Sequence, residues 1–227
     1  MESYGIQESG KGNNSKAKLM KKIFSYLKTK YNIIKNKRKK ERFLEIGPGA
    51  NRINDFETLN ITDGQDVDYI LDLSKKLPFE DNSFDLIYAS HVVEHIPWFF
   101  CDEIFKEFLR ILKSGGVLEV WVPDGLKICK ALIDFEEKNI NCIGKDGWYR
   151  FNDEKNPYRW INGRIFAYGD GTPNPSSSNW HRSIFTEKSL KNVFIDNRFK
   201  NVSTMETDQV RGYDHGWINL GIKGMKP

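Results

Sequence analysis

A short acidic and glycine-containing stretch, EIGPG from Glu45 to Gly49, directly follows an apolar run with the composition of a β-strand. Glycines let the backbone turn sharply and approach a ligand closely, and in a parallel sheet such turns lie at the carboxyl edge, where ligands bind. A dinucleotide-binding loop would carry a third glycine at position 52, where this chain has Arg52, and would lead into a long helix. The stretch therefore predicts a ligand-binding loop and disfavours a nicotinamide or flavin site.

The sequence HVVEH, from His91 to His95, matches the H-x-x-E-H pattern of a group of zinc peptidases. In those enzymes both histidines bind the metal from one helical face and the glutamate activates water. That geometry needs a sustained helix, yet Pro97 follows two residues later and the preceding LIYAS has the composition of a strand. We therefore predict no resident metal, and a zinc peptidase remains an alternative from another class.

Apolar runs and helical spacings predict the elements that must position these residues. Strands are predicted at residues 42–46, 57–61, 67–71, 83–89, 116–122, 201–205 and 217–222, and helices at 97–112, 126–138 and 187–196, the last capped by Thr186. Strands that alternate with helices predict an α/β fold with a parallel sheet. The linkers between the first three strands are too short for full helices, so this half of the sheet is predicted to be partly uncovered.

Residues 125–182 lose this regular pattern after their first helical piece. A long irregular segment within a compact domain is often a lid over a functional site, and we predict a lid insertion here. Its aromatic side chains could stack on a ring-shaped acceptor or pack into a small core of their own. These aromatics are Trp148, Tyr149, Tyr158, Trp160, Tyr168 and Trp180.

The charge of the chain is unevenly distributed. Residues 1–42 carry a net charge of +10 and residues 43–227 one of −6, within a total of +4. An acidic body disfavours nucleic-acid binding, because that activity needs a basic surface. The division predicts a basic N-terminal arm at residues 1–40 and one domain at residues 41–227.

The basic arm contains a segment with helical spacing at residues 16–36, with lysines opposite its apolar side. The apolar residues are Met20, Ile23, Phe24, Leu27, Tyr31 and Ile34. We predict that this helix lies on the main domain; the alternative is that it binds a membrane surface or another acidic partner.

No run approaches the roughly 18–20 apolar residues of a membrane span, and the first residues lack the apolar core of a secretory signal. The three cysteines, Cys101, Cys129 and Cys142, are widely spaced and suggest neither a disulfide framework nor a cysteine zinc site. We expect a cytoplasmic protein, with any membrane contact made peripherally at the inner face through the basic helix.

Several of these motifs together resemble class I S-adenosylmethionine (SAM) methyltransferases of the type 11-like group. The resemblance rests on EIGPG, on Asp72-Leu73 followed by LPFEDNSFDLIYASHVVEHI, on EFLRILKSGGVLEVWVPD and on the closing INLGIKGMKP. It covers residues 42–124 and 181–227 and implies a Rossmann-like sheet with shortened helices in its first half. The shortened form is similar to a bacterial subgroup associated with surface-polysaccharide and lipopolysaccharide biosynthesis.

This resemblance implies that SAM is the cofactor and S-adenosylhomocysteine the product. Gly47 and Gly49 would line the methionine portion, and Glu45 would position the loop or bind the ammonium group. Asp72 would accept from the adenine amino group, while Leu73 would offer its backbone N–H and an apolar face. A cationic cofactor suits a pocket lined by carboxylates.

The chain departs from the family at the end of the second strand, where an acidic residue normally binds both ribose hydroxyls. Here the sequence is LNITD. Either Asp63 takes that role, or Asn60 and Thr62 replace it with neutral hydrogen bonds.

The resemblance also implies which residues face the reaction. Ser90 and His91 would lie at the carboxyl end of the fourth strand, facing the cofactor sulfur and the acceptor. His95 would bind substrate or hold the loop together, and His181 would be carried over the acceptor by the lid. The catalytic candidates are therefore His181, His91 and His95, and the candidate substrate contacts are Asp124, Arg182 and Trp180.

The sequence thus predicts a SAM-dependent methyltransferase that O-methylates a saccharide or glycolipid precursor in cell-surface polysaccharide biosynthesis. Methyl transfer needs a base when the acceptor is a hydroxyl or a protonated amine, and histidine supplies one. The alternatives are a small-metabolite N- or C-methyltransferase and a non-catalytic SAM-binding module.

Overall fold

A computed structural model describes residues 11–49, 52–139, 151–167, 171–172 and 174–227 of the chain. The lid aromatics Trp148, Tyr149 and Tyr168 and the cysteine Cys142 lie outside these described residues. The predicted lid at 125–182 is therefore described only in part. Among the described residues, no helix combines the length and the hydropathy of a membrane span.

The described part of the chain forms one seven-stranded sheet with the strand order β3-β2-β1-β4-β5-β7-β6. Strands β1 to β5 pair in parallel, whereas β7 runs antiparallel to both β5 and β6. The strands are β1 Phe43–Ile46, β2 Phe56–Asn60, β3 Tyr69–Ile70, β4 Phe84–Ser90, β5 Leu112–Pro123, β6 Lys200–Met205 and β7 Asn219–Met225. The helices are α1 Lys11–Asn36, α2 Cys101–Ile111, α3 Gly125–Lys138, α4 Pro157–Phe166 and α5 Glu187–Asp196. This topology confirms the predicted Rossmann-like class I methyltransferase fold.

The main apolar core lies between one face of the sheet and helices α2 and α5. Phe105 and Phe108 of α2 and Phe194 of α5 are fully buried there, and the Phe105 and Phe194 rings meet edge to face at 5.1 Å. The described residues between β1, β2 and β3 form no helix, which agrees with the short linkers of this half. A second, small apolar cluster contains Phe56 of β2, Tyr88 of β4, Trp121 of β5 and Met205 of β6.

Capping residues explain where the second-half helices begin. Thr186 caps α5, as predicted, and forms a capping box with Ser189. Helix α4 lies inside the segment predicted to be irregular; it begins where the Asn156 side chain accepts from two backbone N–H groups, with Pro157 at its first position. Its Trp160 is fully buried and packs with Ile128 of α3, so this lid aromatic belongs to a satellite core.

Helix α1 lies against β3 through its polar side. The Thr29 hydroxyl accepts from the Ile70 backbone N–H at 3.0 Å, and the Asn32 amide donates to the Asp68 carbonyl at 3.0 Å. On the side of the helix that carries the predicted apolar stripe, residues such as Phe24 and Ile34 are exposed. The helix therefore docks on the domain, but the apolar residues do not form its docking surface.

A buried ion pair anchors the amino end of the sheet. The Arg42 guanidinium donates to both carboxylate oxygens of Glu57, at 3.0 and 2.8 Å, and lies 4.3 Å from the centre of the Phe84 ring. The hydroxyl of Tyr69 also donates to Glu57, and the Asn36 amide of α1 donates to that hydroxyl at 2.9 Å. The cluster thus joins α1 to β1, β2 and β3.

We expect Arg42→Met to lower the free energy of unfolding by about 3 kcal/mol, because the buried Glu57 carboxylate loses both guanidinium hydrogen bonds and keeps only the more distant Lys39 ammonium, at 3.6 Å. Lys37→Ala is the matched control: it removes the exposed pair of Lys37 with Glu80, which should cost less than about 1 kcal/mol. Urea unfolding followed by circular dichroism measures both. Equal effects of the two substitutions would show that the buried pair does not anchor the sheet.

Candidate active site

The glycine loop after β1 has the shape expected of a ligand-binding turn. Gly47 has a φ of +69°, and a Cβ there would overlap Val92, whereas a Cβ on exposed Gly49 would meet nothing within 4 Å. Packing among the described residues thus explains the first glycine but not the second, which leaves the backbone at Gly49 open to a ligand. Glu45 is buried and accepts from the Ile53 backbone N–H at 2.9 Å, so it holds the following loop. Burial raises the pKa of Glu45, against the effects of this hydrogen bond and of Arg52.

The other predicted cofactor contacts lie at the same edge of the sheet. Asp72 is exposed after β3, and one carboxylate oxygen accepts from the Ser74 backbone N–H at 2.9 Å. Leu73 is half-buried against the main core. Asn60 ends β2, and its side-chain oxygen accepts from the Ile61 backbone N–H. These residues could hold the adenosine portion of SAM, and the individual contacts stay predictions.

One of the two ribose-binding hypotheses assigns that role to Asp63. In the structure, the Asp63 carboxylate already binds side chains of α1. The Asp63 carboxylate accepts from Lys28 of α1 at 3.2 Å and from Ser25 at 3.4 Å. The hydrogen bond from Lys28 lowers the pKa of Asp63. Its carboxylate is therefore engaged with α1, which leaves Asn60 and the exposed Thr62 as the freer ribose candidates.

A fully buried carboxylate, that of Glu94, lies beyond β4. It sits in a 3-10 turn at Val93–His95 and is 1% exposed. The Nδ1 atom of His91 lies 3.2 Å from Glu94 Oε1. Within the described residues, neither carboxylate oxygen accepts from any other donor at hydrogen-bond distance. Such a buried charge is costly unless positive or polar groups surround it.

The four histidines of the chain are the groups around Glu94. His91 has a left-handed φ of +52°, its backbone N–H donates to the Trp121 carbonyl, and its Nε2 lies 2.9 Å from Asn219 Oδ1. The His215 ring stacks on it at a centroid distance of 3.6 Å. The two ring nitrogens of His91 thus face one oxygen of Glu94 and one of Asn219, which fixes the orientation of the ring.

His95 and His181 approach the same carboxylate from the other side. The Nδ1 of His181 lies 3.2 Å from the Arg164 carbonyl, and its Nε2 lies 4.0 Å from Glu94 Oε1. His95 Nδ1 lies 3.3 Å from the Trp180 carbonyl. The His95 and His181 rings meet edge to face, with their centres 4.8 Å apart. A carbonyl oxygen accepts a hydrogen bond from an Nδ1–H group, so in a neutral ring the lone pair is on Nε2.

Charge and burial fix the protonation of this cluster. Burial alone would raise the pKa of Glu94, but chiefly the hydrogen bond and charge of His91 hold it below its usual value. Burial lowers the pKa of His181 despite the attraction of Glu94. Burial and the nearby His91 lower the pKa of His215 to about 4. At neutral pH the cluster therefore holds an ionised carboxylate with neutral His181 and His215 rings.

The glycine loop lies next to the histidine cluster through Val92, the residue that follows His91. Val92 follows His91 and lies where a side chain on Gly47 would be. Ser90, the last residue of β4, hydrogen-bonds through its side chain with Tyr88. The predicted cofactor loop and His91 thus lie side by side at the carboxyl edge of β1 and β4, and their roles stay predictions.

The predicted substrate contacts have other roles in the fold. Asp124 is the N-cap of α3, where its Oδ1 accepts from the backbone N–H groups of Leu126 and Lys127, and its contact with substrate stays a prediction. The Trp180 indole N–H donates to the Asn174 carbonyl. Arg182 has an exposed side chain, and its backbone N–H donates to the Glu94 carbonyl. Arg182 and Trp180 stay predictions as substrate contacts.

Two residues of the site were not predicted from the sequence, His215 and Asn219. His215 stacks on His91, and Asn219 fixes that ring while its own amide donates to Asp214 at 2.6 Å. The rarity of histidine in this chain, four in all, is the signal that could have pointed to His215. Asn219 begins β7 and carries no comparable signal.

The H-x-x-E-H pattern does not form the zinc-peptidase arrangement. His91 has a left-handed backbone and precedes a 3-10 turn, so His91 and His95 do not share a helical face. The metal-ligand atoms that do converge are those of Glu94, His95 and His181, all within 4.8 Å of one another. A cavity of about 10 Å³, room for about one water molecule, lies against Glu94 and His181.

Residues 33–120 match the family model described as a methyltransferase domain, which covers β1 to β4, α2 and most of β5. The match supports a SAM-dependent methyltransferase as the class of enzyme and SAM as its cofactor.

Curated relatives match only parts of the chain. The sterol 4-C-methyltransferase strm-1 of Caenorhabditis elegans is 43% identical over 47 residues, which is 21% of this chain and 14% of that protein. The sterol 24-C-methyltransferase erg6 of Schizosaccharomyces pombe is 31% identical over 104 residues, covering 35% of this chain and 27% of that protein. The chain therefore spans less than a third of the length of these relatives.

Solved structures of similar fold include two described as SAM-dependent methyltransferases. One, from Archaeoglobus fulgidus, has a TM-score of 0.49 at 14% identity and covers 90% of this chain and 94% of its own. The other, from Thermotoga maritima, is described as a possible histamine N-methyltransferase. It has a TM-score of 0.46 at 18% identity, and the match covers 92% of this chain and 96% of that one.

The two glycines of the loop should respond differently to alanine. We expect Gly47→Ala to destabilise the protein by about 1–3 kcal/mol, because a Cβ would meet Val92 and the backbone has a positive φ. Gly49→Ala should leave the thermal midpoint within about 1 °C of that of the wild type and weaken SAM binding several-fold, because its Cβ would point into the open site. Calorimetry and thermal unfolding measure the two effects. Unchanged SAM affinity in folded Gly49→Ala would exclude this loop from the cofactor site.

His215 should remain neutral in weakly acidic solution. Its folded pKa of about 4 lies below the ordinary 6.5, so between these values the unfolded chain binds more protons and the free energy of unfolding falls as the pH falls. Nitrogen NMR of the ring should show a neutral imidazole at pH 5.5, and His215→Asn should flatten the pH dependence of stability. If the His215 ring protonates near pH 6.5, then stacking on His91 does not bury it enough to lower its pKa.

Proposed function

We propose that this protein is a SAM-dependent methyltransferase that O-methylates a saccharide or glycolipid precursor of a cell-surface polysaccharide. The observation that carries the proposal is that Val92 places the open glycine loop beside a buried glutamate–histidine cluster. The loop offers a site for the amino-acid part of SAM. The cluster offers a neutral histidine with a free ring nitrogen.

His181 is the residue best suited to take the proton of an acceptor hydroxyl. Its Nδ1 is bound to the Arg164 carbonyl, so the lone pair on Nε2 can accept a proton. Glu94 lies 4.0 Å from that nitrogen, too far for a hydrogen bond but near enough to stabilise the imidazolium that forms. When bound, SAM supplies an electrophilic methyl group for in-line displacement.

The remaining members of the cluster position these groups. The contact between His91 and Glu94 keeps the carboxylate ionised beneath His181. The backbone carbonyl of Glu94 accepts from the N–H groups of Arg182 and Ser183, which holds the segment carrying His181 against the 3-10 turn. The site is thus organised before an acceptor binds, which lowers the entropic cost of alignment.

The acceptor class rests on the resemblance to the polysaccharide-associated subgroup and on aromatic side chains beside the cluster. Tyr213 is exposed and contacts the His215 ring at 4.8 Å, and Trp180 is half-buried next to His181. Exposed aromatic faces suit the apolar faces of sugar rings. We expect a cytoplasmic location for this chemistry, because SAM and sugar precursors must meet there.

C-methylation of a small metabolite is a second candidate, favoured by the partial similarity to sterol C-methyltransferases. NMR of a methylated product separates the two, since an O-methyl carbon and a C-methyl carbon have different chemical shifts. SAM binding without turnover, by contrast, would support the non-catalytic module.

We expect His181→Asn to reduce kcat by about 10²–10⁴-fold while leaving SAM affinity unchanged, because it removes the base and not the cofactor loop. The assay follows transfer of the labelled methyl group of SAM to a cell-envelope glycan extract. Lys188→Ala, at an exposed position of α5, is the matched control and should retain full activity. A His181→Asn enzyme with wild-type kcat would remove His181 from the mechanism.

A further inference from the structure

Helix α1 presents to solvent an apolar side that is interrupted by Lys30, whose ammonium lies 5.0 Å from the centre of the Tyr26 ring. Every residue from Lys16 to Phe24 is exposed, and the apolar ones recur at the spacing of one helical face. Their exposed fractions range from 44% to 68%: Leu19, Met20, Ile23, Phe24, Tyr26, Leu27, Tyr31 and Ile34. An apolar surface of this extent on a soluble domain marks a site of contact with another apolar phase.

The orientation of α1 is fixed by its opposite side. Ser25 and Lys28 contact Asp63, Thr29 contacts Ile70, and the half-buried Ile33 packs on the main core. At 100° per residue these docking positions lie across the helix from the apolar stripe. The stripe therefore faces outward because the docking contacts hold it there.

The charge of the helix indicates what the stripe contacts. From Lys11 to Lys40 the sequence has twelve basic residues and no acidic one. Two copies of this helix would bring like charges together, which opposes self-association through the stripe. An apolar stripe combined with lysines is the pattern of helices that lie in the interface of an anionic membrane.

The position of the helix directs this surface toward the active-site end of the molecule. Lys28 contacts Asp63 and Gly64, just beyond the carboxyl end of β2, and the residues before Ser25 extend from there. Three exposed aromatics follow β4 at the same edge of the sheet: Trp98, Phe99 and Phe100. Exposed tryptophan beside phenylalanine is typical of residues that insert at a membrane surface.

We propose that the apolar side of α1 docks this protein on an anionic lipid bilayer, with its lysines at the headgroups. The helix lies on the membrane and does not cross it. This inference is independent of the proposed chemistry, and it would bring the carboxyl edge of the sheet to a surface where lipid-linked acceptors reside.

The test is co-sedimentation of the full chain with vesicles of phosphatidylcholine alone and of phosphatidylcholine mixed with phosphatidylglycerol. We expect at least about 10-fold stronger binding to the mixed vesicles, and release when the salt concentration is raised. Ile23→Asp/Phe24→Asp should abolish binding without changing the thermal midpoint, because both side chains are exposed. Lys21→Glu/Lys22→Glu should weaken it at least about 10-fold.

Ile195→Asp is the matched control, since Ile195 is an exposed apolar residue of α5 on another part of the surface. It should bind like the wild type. Three outcomes would overturn the proposal: equal binding to both vesicle types, wild-type binding by Ile23→Asp/Phe24→Asp, or a stable dimer in light scattering that this double variant dissociates without any vesicle binding. SAM affinity, measured in parallel, reports on the catalytic proposal separately.

Discussion

The buried carboxylate of Glu94 is the constraint on which the site depends. A negative charge that is 1% exposed must be balanced by its surroundings, and the chain uses its four histidines for this purpose. His91 comes from the end of β4, His181 from the segment before α5, and His215 from the approach to β7. The need to surround one charge therefore draws three distant parts of the sequence to one edge of the sheet. The positive backbone angle of His91 is part of this arrangement.

Local signals made much of this fold predictable. The strands, the Thr186 cap and the glycine loop follow from apolar alternation, side-chain capping and backbone freedom, which all act over a few residues. Helix α4 was missed because its aromatic and polar residues show no clear period, although Asn156-Pro157 is an ordinary helix start. His215 and Asn219 were missed because their roles arise from contacts with residues more than 120 positions away. Long-range pairing of this kind leaves no local pattern.

The uneven charge of the chain acquires a physical meaning in the structure. Helix α1 does not bury its apolar side, as amphipathic helices of globular domains usually do. Instead a few polar contacts with β3 and with Asp63 hold the helix in place. The Lys28 ammonium pairs with the carboxylate of Asp63, one of the predicted ribose-binding residues. The basic arm thus engages Asp63 and leaves an apolar, lysine-rich surface exposed. The contact with Asp63 and the exposed apolar surface both arise because α1 docks on the domain through its polar side.

A crystal structure with bound S-adenosylhomocysteine tests the central claim most directly, namely that the glycine loop and the glutamate–histidine cluster form one methyl-transfer site. We expect the amino-acid part of the ligand to lie beside Gly47 and Gly49 and its sulfur to face His91 and His181. A ligand bound elsewhere, or a sulfur directed away from the histidines, would contradict it.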